Sequence, residues 1–390
     1  MASDKGAIEV FDADNGTELW QATVSRPGLP MLGPAINDEI VAAINGQTLY
    51  IFDRVSGRLI NQRALEQTAA TVPVVAADYV YITGTDGSVT AYQRDDMMFG
   101  VRSIRFSGTQ LLPPAVSADQ RFLVWPHAEY VYTALLAPRF DLWSRLETRD
   151  KILTSPTVLP DGMLVTTQSG VVIRLDYNRL QNIVWRSNYG REVFARPLTN
   201  GKIAIVVAST GHVGCIDVAT GEWLWDVLVP GVQRVISLSN DRAYLQDFNG
   251  GLIAVGLQDG RLLGRLEDNL AAAVINDYSD RIFLRSTDGR LMCLRQQENV
   301  KPIYHPVVAV LRTGQVPTGE VAGSGDGSTA DAPGDGRDLL GAEITDDTQA
   351  ETTDNAPSEN PFGGENPFGG ADPFGGANPF GGAEANPFGN

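Results

Sequence analysis

The chain has 390 residues and a formal net charge of −17, with 47 acidic against 30 basic side chains, a balance that disfavours nucleic acid and anionic lipid surfaces as partners. Its two cysteines cannot build a disulfide framework. No run of about 20 apolar residues is present to span a bilayer as a helix. The charge is uneven: residues 313–390 carry 14 acidic side chains and one basic one, Arg337, while residues 1–312 are nearly balanced.

Read in chain order, a motif recurs every 38 to 42 residues. Its clearest copies are Phe11-Asp12-Ala13-Asp14-Asn15-Gly16-Thr17-Glu18-Leu19-Trp20 and Ile216-Asp217-Val218-Ala219-Thr220-Gly221-Glu222-Trp223-Leu224-Trp225. Taking the residue at the Asp position as a marker gives Asp12, Asp53, Gln93, Leu135, Asp176, Asp217, Leu257 and Arg295. A period near 40 with strands and glycine turns predicts an all-β propeller, four strands per repeat. A carboxylate ahead of a tight turn accepts hydrogen bonds from the turn's N–H groups, so Asp12, Asp53, Asp176 and Asp217 are read as structural. Trp20, Trp143, Trp185 and Trp225 follow their markers by eight or nine positions. They are read as wedges packed against the next blade.

A second series precedes the markers. Pro34, Pro73, Pro114, Pro156 and Pro197 each open an apolar run, where a missing N–H costs the ladder nothing. Asn45-Gly46, Asp86-Gly87, Asp161-Gly162, Asn249-Gly250 and Asp288-Gly289 supply hairpin turns. Eight copies of the second strand pair and seven of the first imply a start in mid-blade. The expectation is eight blades over residues 4–312, closed by a strand at 306–311 beside residues 6–20, with seven blades as the alternative.

Beyond residue 312 the composition changes. Residues 313–359 are expected to be a disordered acidic linker, and residues 360–390 a disordered repeat tail, because few aliphatic groups are present to offset chain entropy. The tail carries Asn360-Pro361-Phe362, Asn366-Pro367-Phe368, Asp372-Pro373-Phe374, Asn378-Pro379-Phe380 and Asn386-Pro387-Phe388. Each Phe follows a turn-forming dipeptide, so Phe362, Phe368, Phe374, Phe380 and Phe388 are candidate contacts for a multivalent partner. Asn-Pro-Phe tripeptides resemble the motifs that EH domains bind in eukaryotic endocytosis.

The pattern Asp-x-x-Thr-Gly-x-x-x-Trp, closest at Asp217 to Trp225, resembles the repeat of PQQ-like β-propellers over residues 6 to about 300. Two branches share that repeat. The quinoprotein dehydrogenases hold a quinone on the axis with Ca²⁺, an Asp base and a disulfide between adjacent cysteines. Cys215 and Cys293 are far apart in the chain. His127, His212 and His305 fall in different repeats, with no metal-pair spacing. The non-catalytic branch, similar to the BamB lipoprotein, therefore fits better. It implies a non-enzymatic, monomeric protein-interaction scaffold of the bacterial envelope, with no cofactor, no metal site and no nucleic-acid partner. A quinoprotein-type enzyme and a cytoplasmic hub acting through the tail are the alternatives. The latter arises because Met1-Ala2-Ser3-Asp4-Lys5 opens the chain without an apolar export segment.

Overall fold

The computed structural model describes residues 6–13, 15–24, 28–95, 102–106, 112–177, 179–266, 270–286 and 288–313. The tail and its five Phe residues, 362, 368, 374, 380 and 388, lie outside them.

The described residues form a β-propeller of antiparallel up-and-down sheets. Blades I to VI span residues 31–64, 74–105, 115–147, 157–188, 198–228 and 232–266, with four strands each, and blade VII spans residues 270–294 with three. In blade I the strands are Met31–Ile36, Ile40–Asn45, Thr48–Asp53 and Leu59–Ala64, paired in sequence order. First strands of neighbouring blades touch one another, which makes them the innermost. Residues 7–23 make a two-stranded sheet ahead of blade I.

Burial explains the sequence pattern. The second strand of blade I, Ile40-Val41-Ala42-Ala43-Ile44-Asn45, is buried at every position because neighbours cover both of its faces. The fourth strand, at the rim, is a mixture of exposed and half-buried positions with none fully buried. The apolar core is accordingly divided into interfaces between blades. Ile40, Ile44 and Ile51 of blade I pack with Val80, Ile82 and Tyr92 of blade II. Leu198, Ile205 and Val213 of blade V pack with Val235, Leu245 and Ile253 of blade VI. Ile8, Trp20 and Val24 of the N-terminal hairpin pack on Val41, Ala43 and Tyr50.

Two expectations are corrected. The propeller has seven blades, not eight: the N-terminal pair is a hairpin and not a full blade. The run at 306–311 is not a closing strand. Residues Pro306–Thr313 are helix α1. The Val-rich run has strand propensity, but Pro306 is suited to the first helical position, and burial of Val307, Val308 and Val310 overrides the weak local preference. Pro73, Pro114, Pro156 and Pro197 each sit immediately before a first strand, whereas Pro34 falls inside one, next to a register shift.

Candidate functional site

The repeat motif builds a joint between successive blades. At the third-to-fourth-strand turn, Asp53 N donates to Arg58 O (2.8 Å) and Gly57 N to Asp53 O (2.9 Å). Asp12 with Gly16 and Asp217 with Gly221 make the same pair of bonds. Asp53 Oδ1 accepts from the Ser56 amide (2.7 Å) and hydroxyl (2.6 Å), and the hydroxyl bond holds the carboxyl below its ordinary value. Asp217 Oδ1 accepts likewise from Thr220. Asp12 Oδ2 accepts instead from the Asn15 side chain, Nδ2 (3.2 Å). In blade VI the bonds run from Gly256 N to Arg261 O and from Gly260 N to Gly256 O, so Gly256, and not Leu257, holds the marker position. Asp176 ends its strand opposite Arg179, with register shifts on both sides of Leu175.

Three of the four motif tryptophans cross to the following turn. Trp20 Nε1 donates to Arg54 O (2.7 Å), Trp185 Nε1 to Val218 O (3.0 Å) and Trp225 Nε1 to Leu257 O (2.7 Å). The acceptor in each case is the residue after the marker position. Each indole also covers the turn glycine: a Cβ at Gly57, Gly221 or Gly260 would come within 2.7 Å of the ring. Asn61 takes the tryptophan's place in blade I and donates to Arg94 O (3.3 Å). Trp143 does not reach a turn. Blade III has one extra residue in its turn, with Leu135 N bonding to Asp141 O, so Ser144 holds the wedge position and Trp143 faces outward, 53% exposed. Equal spacing in sequence hid that slip.

The strand order sends all marker turns to one end of the ring. The opposite end carries the second-to-third turns and the loops between blades. Val72, Phe194 and Phe248 are exposed there. Near it Asp226 gathers three donors: Tyr189 Oη donates to Oδ1 (2.8 Å), His212 Nδ1 lies 3.1 Å from the same oxygen, and Arg191 lies 3.0 Å from Oδ2. Tyr189 stacks on Trp223 with ring centroids 4.3 Å apart. The hydroxyl of Tyr189 is pushed up in pKa by burial and by its bond to Asp226.

The marker end of the ring centre is filled by residues 303–311. His305 is buried, its Nδ1 2.8 Å from Asp277 O and its Nε2 3.1 Å from Leu238 O. His305 N donates to Tyr278 O (2.8 Å), and Ile303 N to Asp280 Oδ1 (3.0 Å). Pro306 lies over Gly201, where a Cβ would be 3.1 Å from its Cγ. Val307, Val308 and Val310 join the cluster of Ala118, Phe122 and Met163 from blades III and IV. A two-turn helix whose approach touches blades V, VI and VII and whose apolar face meets III and IV must lie near the axis. Motif spacing could not reveal this arrangement, although Pro306 ahead of an apolar run was a helix-start signal.

Among the described residues no group of three or more His, Cys, Asp or Glu could hold a metal ion. Cys215 is buried and Cys293 exposed, and neither forms a disulfide. No described helix is long and apolar enough to cross a membrane.

The family model described as outer membrane protein assembly factor BamB matches residues 4–97 and 129–326. The chain belongs to this family. An outer membrane protein assembly factor BamB from Yersinia pestis is 22% identical over 332 residues, covering 79% of this chain and 77% of that protein. The crystal structure of BamB from Moraxella catarrhalis is similar in fold, with a TM-score of 0.61 and 14% identity over 76% of this chain and 92% of that one.

Proposed function

We propose that this chain is a non-enzymatic scaffold that binds protein partners during outer membrane protein assembly, in the bacterial envelope. The observation that carries the reading is the family match across both halves of the propeller: blade I, the first three strands of blade II, part of blade III and blades IV to VII. The centre of the ring supports it. There, at the marker end, Val307, Val308 and Val310 pack as core, an apolar plug over the ring centre. Recognition then belongs to loops and rims, the usual locations for contacts on a rigid β scaffold. The five Asn/Asp-Pro-Phe tripeptides are assigned to a second partner. One Phe in a pocket supplies about 1.5–3 kcal/mol, and linked copies raise avidity by about 10² to 10⁴.

The test is depletion of the protein in its own cell, with folded β-barrel proteins of the outer membrane quantified by heat-modifiable electrophoretic mobility. A drop that residues 1–321 restore places the function in the propeller. A drop that only the full chain restores makes the tail necessary as well. Unchanged barrel levels sink the assembly reading.

A further inference from the structure

Blade VII stops one strand short. Its third strand, Leu291–Leu294, is followed by residues 295–305, which run on to α1 without returning along it as a fourth strand. In blades I, III and V the third strand is buried at its four central positions. Leu291-Met292-Cys293-Leu294 has the same apolar character and no buried position.

The loss reaches the next joint. The N-terminal hairpin packs on Val41, Ala43 and Tyr50, the face of blade I that blade II does not use, which places it at the closure of the ring, between blades VII and I. Its turn keeps the receiving half of the joint complete. Asp12 N and Gly16 N make the marker bonds, and Gly16 sits at φ +75°. An added Cβ at Gly57, Gly221 or Gly260 would strike the indole of the preceding repeat, whereas at Gly16 nothing lies within 4 Å. The carbonyl that accepts the indole N–H belongs to Arg54, Val218 and Leu257 in those three joints. Here it belongs to Ala13, which is exposed and receives no hydrogen bond among the described residues. Residues 314–390 contain no Trp and no Tyr, so they offer no ring with a donor.

We propose that the rim of blade VII is a docking site for an extended segment of a partner protein, which adds as a fourth strand antiparallel to Leu291–Leu294 and lays a tryptophan over Gly16, its indole N–H on the Ala13 carbonyl. The molecule itself specifies this occupant, because Trp20, Trp185 and Trp225 make the same contact from their own strands. In such strand addition the main chain supplies affinity and the side-chain socket supplies specificity. The other blades fix the register. The wedge residue pairs with the residue two before the marker, as Val10 with Trp20, Arg174 with Trp185 and Cys215 with Trp225. Counting back from Arg295 gives Cys293, so the incoming tryptophan lies opposite that exposed thiol.

The experiment uses the full chain and, as probe, a fluorescent peptide of residues 179–188, the fourth strand of blade IV, Arg-Leu-Gln-Asn-Ile-Val-Trp-Arg-Ser-Asn. Saturable binding with a Kd below about 1 mM is expected. Trp185→Phe in the peptide, which loses the N–H, should weaken it about fivefold, and Trp185→Ala at least about tenfold. In the full chain, Gly16→Asn brings a residue that tolerates positive φ and fills the socket, and should weaken binding at least about tenfold. Gly231→Asn, at another open glycine with φ +76°, should leave it unchanged. Bound peptide should slow the labelling of Cys293 by a thiol reagent at least about fivefold. No saturable binding, binding indifferent to the peptide's tryptophan, or binding that Gly16→Asn leaves intact overturns the proposal. Should Gly16→Asn not fold, Cys293 of the wild type decides: labelling unchanged at saturating peptide overturns it as well. A wild-type dimer that the peptide dissociates would assign the rim to a second copy and reject the partner strand.

Discussion

Trp185 of blade IV lies across Gly221 of blade V, and its indole N–H reaches the Val218 carbonyl at 3.0 Å. One side chain therefore makes both an apolar and a polar contact across the joint. Trp20 with Gly57 and Trp225 with Gly260 repeat the arrangement. Trp185→Phe keeps most of the contact area and loses the hydrogen bond, at a cost of about 1 kcal/mol. Trp185→Ala loses both, about 2–4 kcal/mol. Gly221→Val forces a branched residue into φ +77° beneath the ring and should destabilise at least as much as the alanine variant. Urea unfolding of the three variants orders them. Equal midpoints for Phe and Ala would remove the packing contribution.

The acid limb of the stability curve should depend on Asp53. Its carboxyl is held below the ordinary 3.8, first by the Ser56 hydroxyl, so its folded-state pKa lies below the unfolded one. The resulting stabilisation is fully present above the unfolded value and is lost as pH falls through the folded one. Asp86 beside Ser88 acts in the same sense. Asp53→Asn should lower stability slightly at pH 7 and flatten the fall in thermal midpoint between about pH 4 and pH 2. An unchanged acid limb would show that the Ser56 bond does not favour the ionised form.

The two thiols should differ in reactivity. Burial pushes the Cys215 thiol up to about 12 from 9.0, while Cys293 is exposed. Thiolate is the reactive form. Titration with a thiol reagent at pH 8 should count one group in the native protein and two in denaturant. Two fast groups in the native protein would place Cys215 at a more open position.

Arg196, two residues ahead of blade V, and Asp277 of blade VII make a part-buried ion pair. A double-mutant cycle with Arg196→Met and Asp277→Asn should give a coupling of about 1 kcal/mol, more than a fully exposed pair supplies. A coupling near zero would mean that solvent screens the bridge.

Much of this fold could be read from the repeat. The period gave the architecture, the prolines marked four of the first strands, and the Asp and Gly positions located the turns. What escaped is specific. One inserted residue in blade III turned Trp143 outward, and no sequence spacing distinguishes that from a wedge. The blade count failed at the C-terminus, where the Val307 to Leu311 run is as suitable for a strand as for a helix and only its seat decides. The seat's own parts, Gly201, Leu238, Asp277 and His305, lie up to 104 positions apart and belong to no motif. The cluster around Asp226 brings together blade V with residues from the end of blade IV, and nothing local in either segment announces it.

The tryptophan joint also has a direction. Each indole belongs to one repeat and its glycine to the next, so during synthesis the ring leaves the ribosome roughly 40 residues ahead of the surface that covers it. The growing propeller should carry one uncovered wedge indole at its leading edge, passed from Trp185 to Trp225 as each new turn arrives, in addition to the permanently exposed Trp143. A nascent chain whose emerged part ends just after Trp225 would have Trp185 covered and Trp225 bare, and a chaperone that recognises aromatic surface would have a moving place to hold.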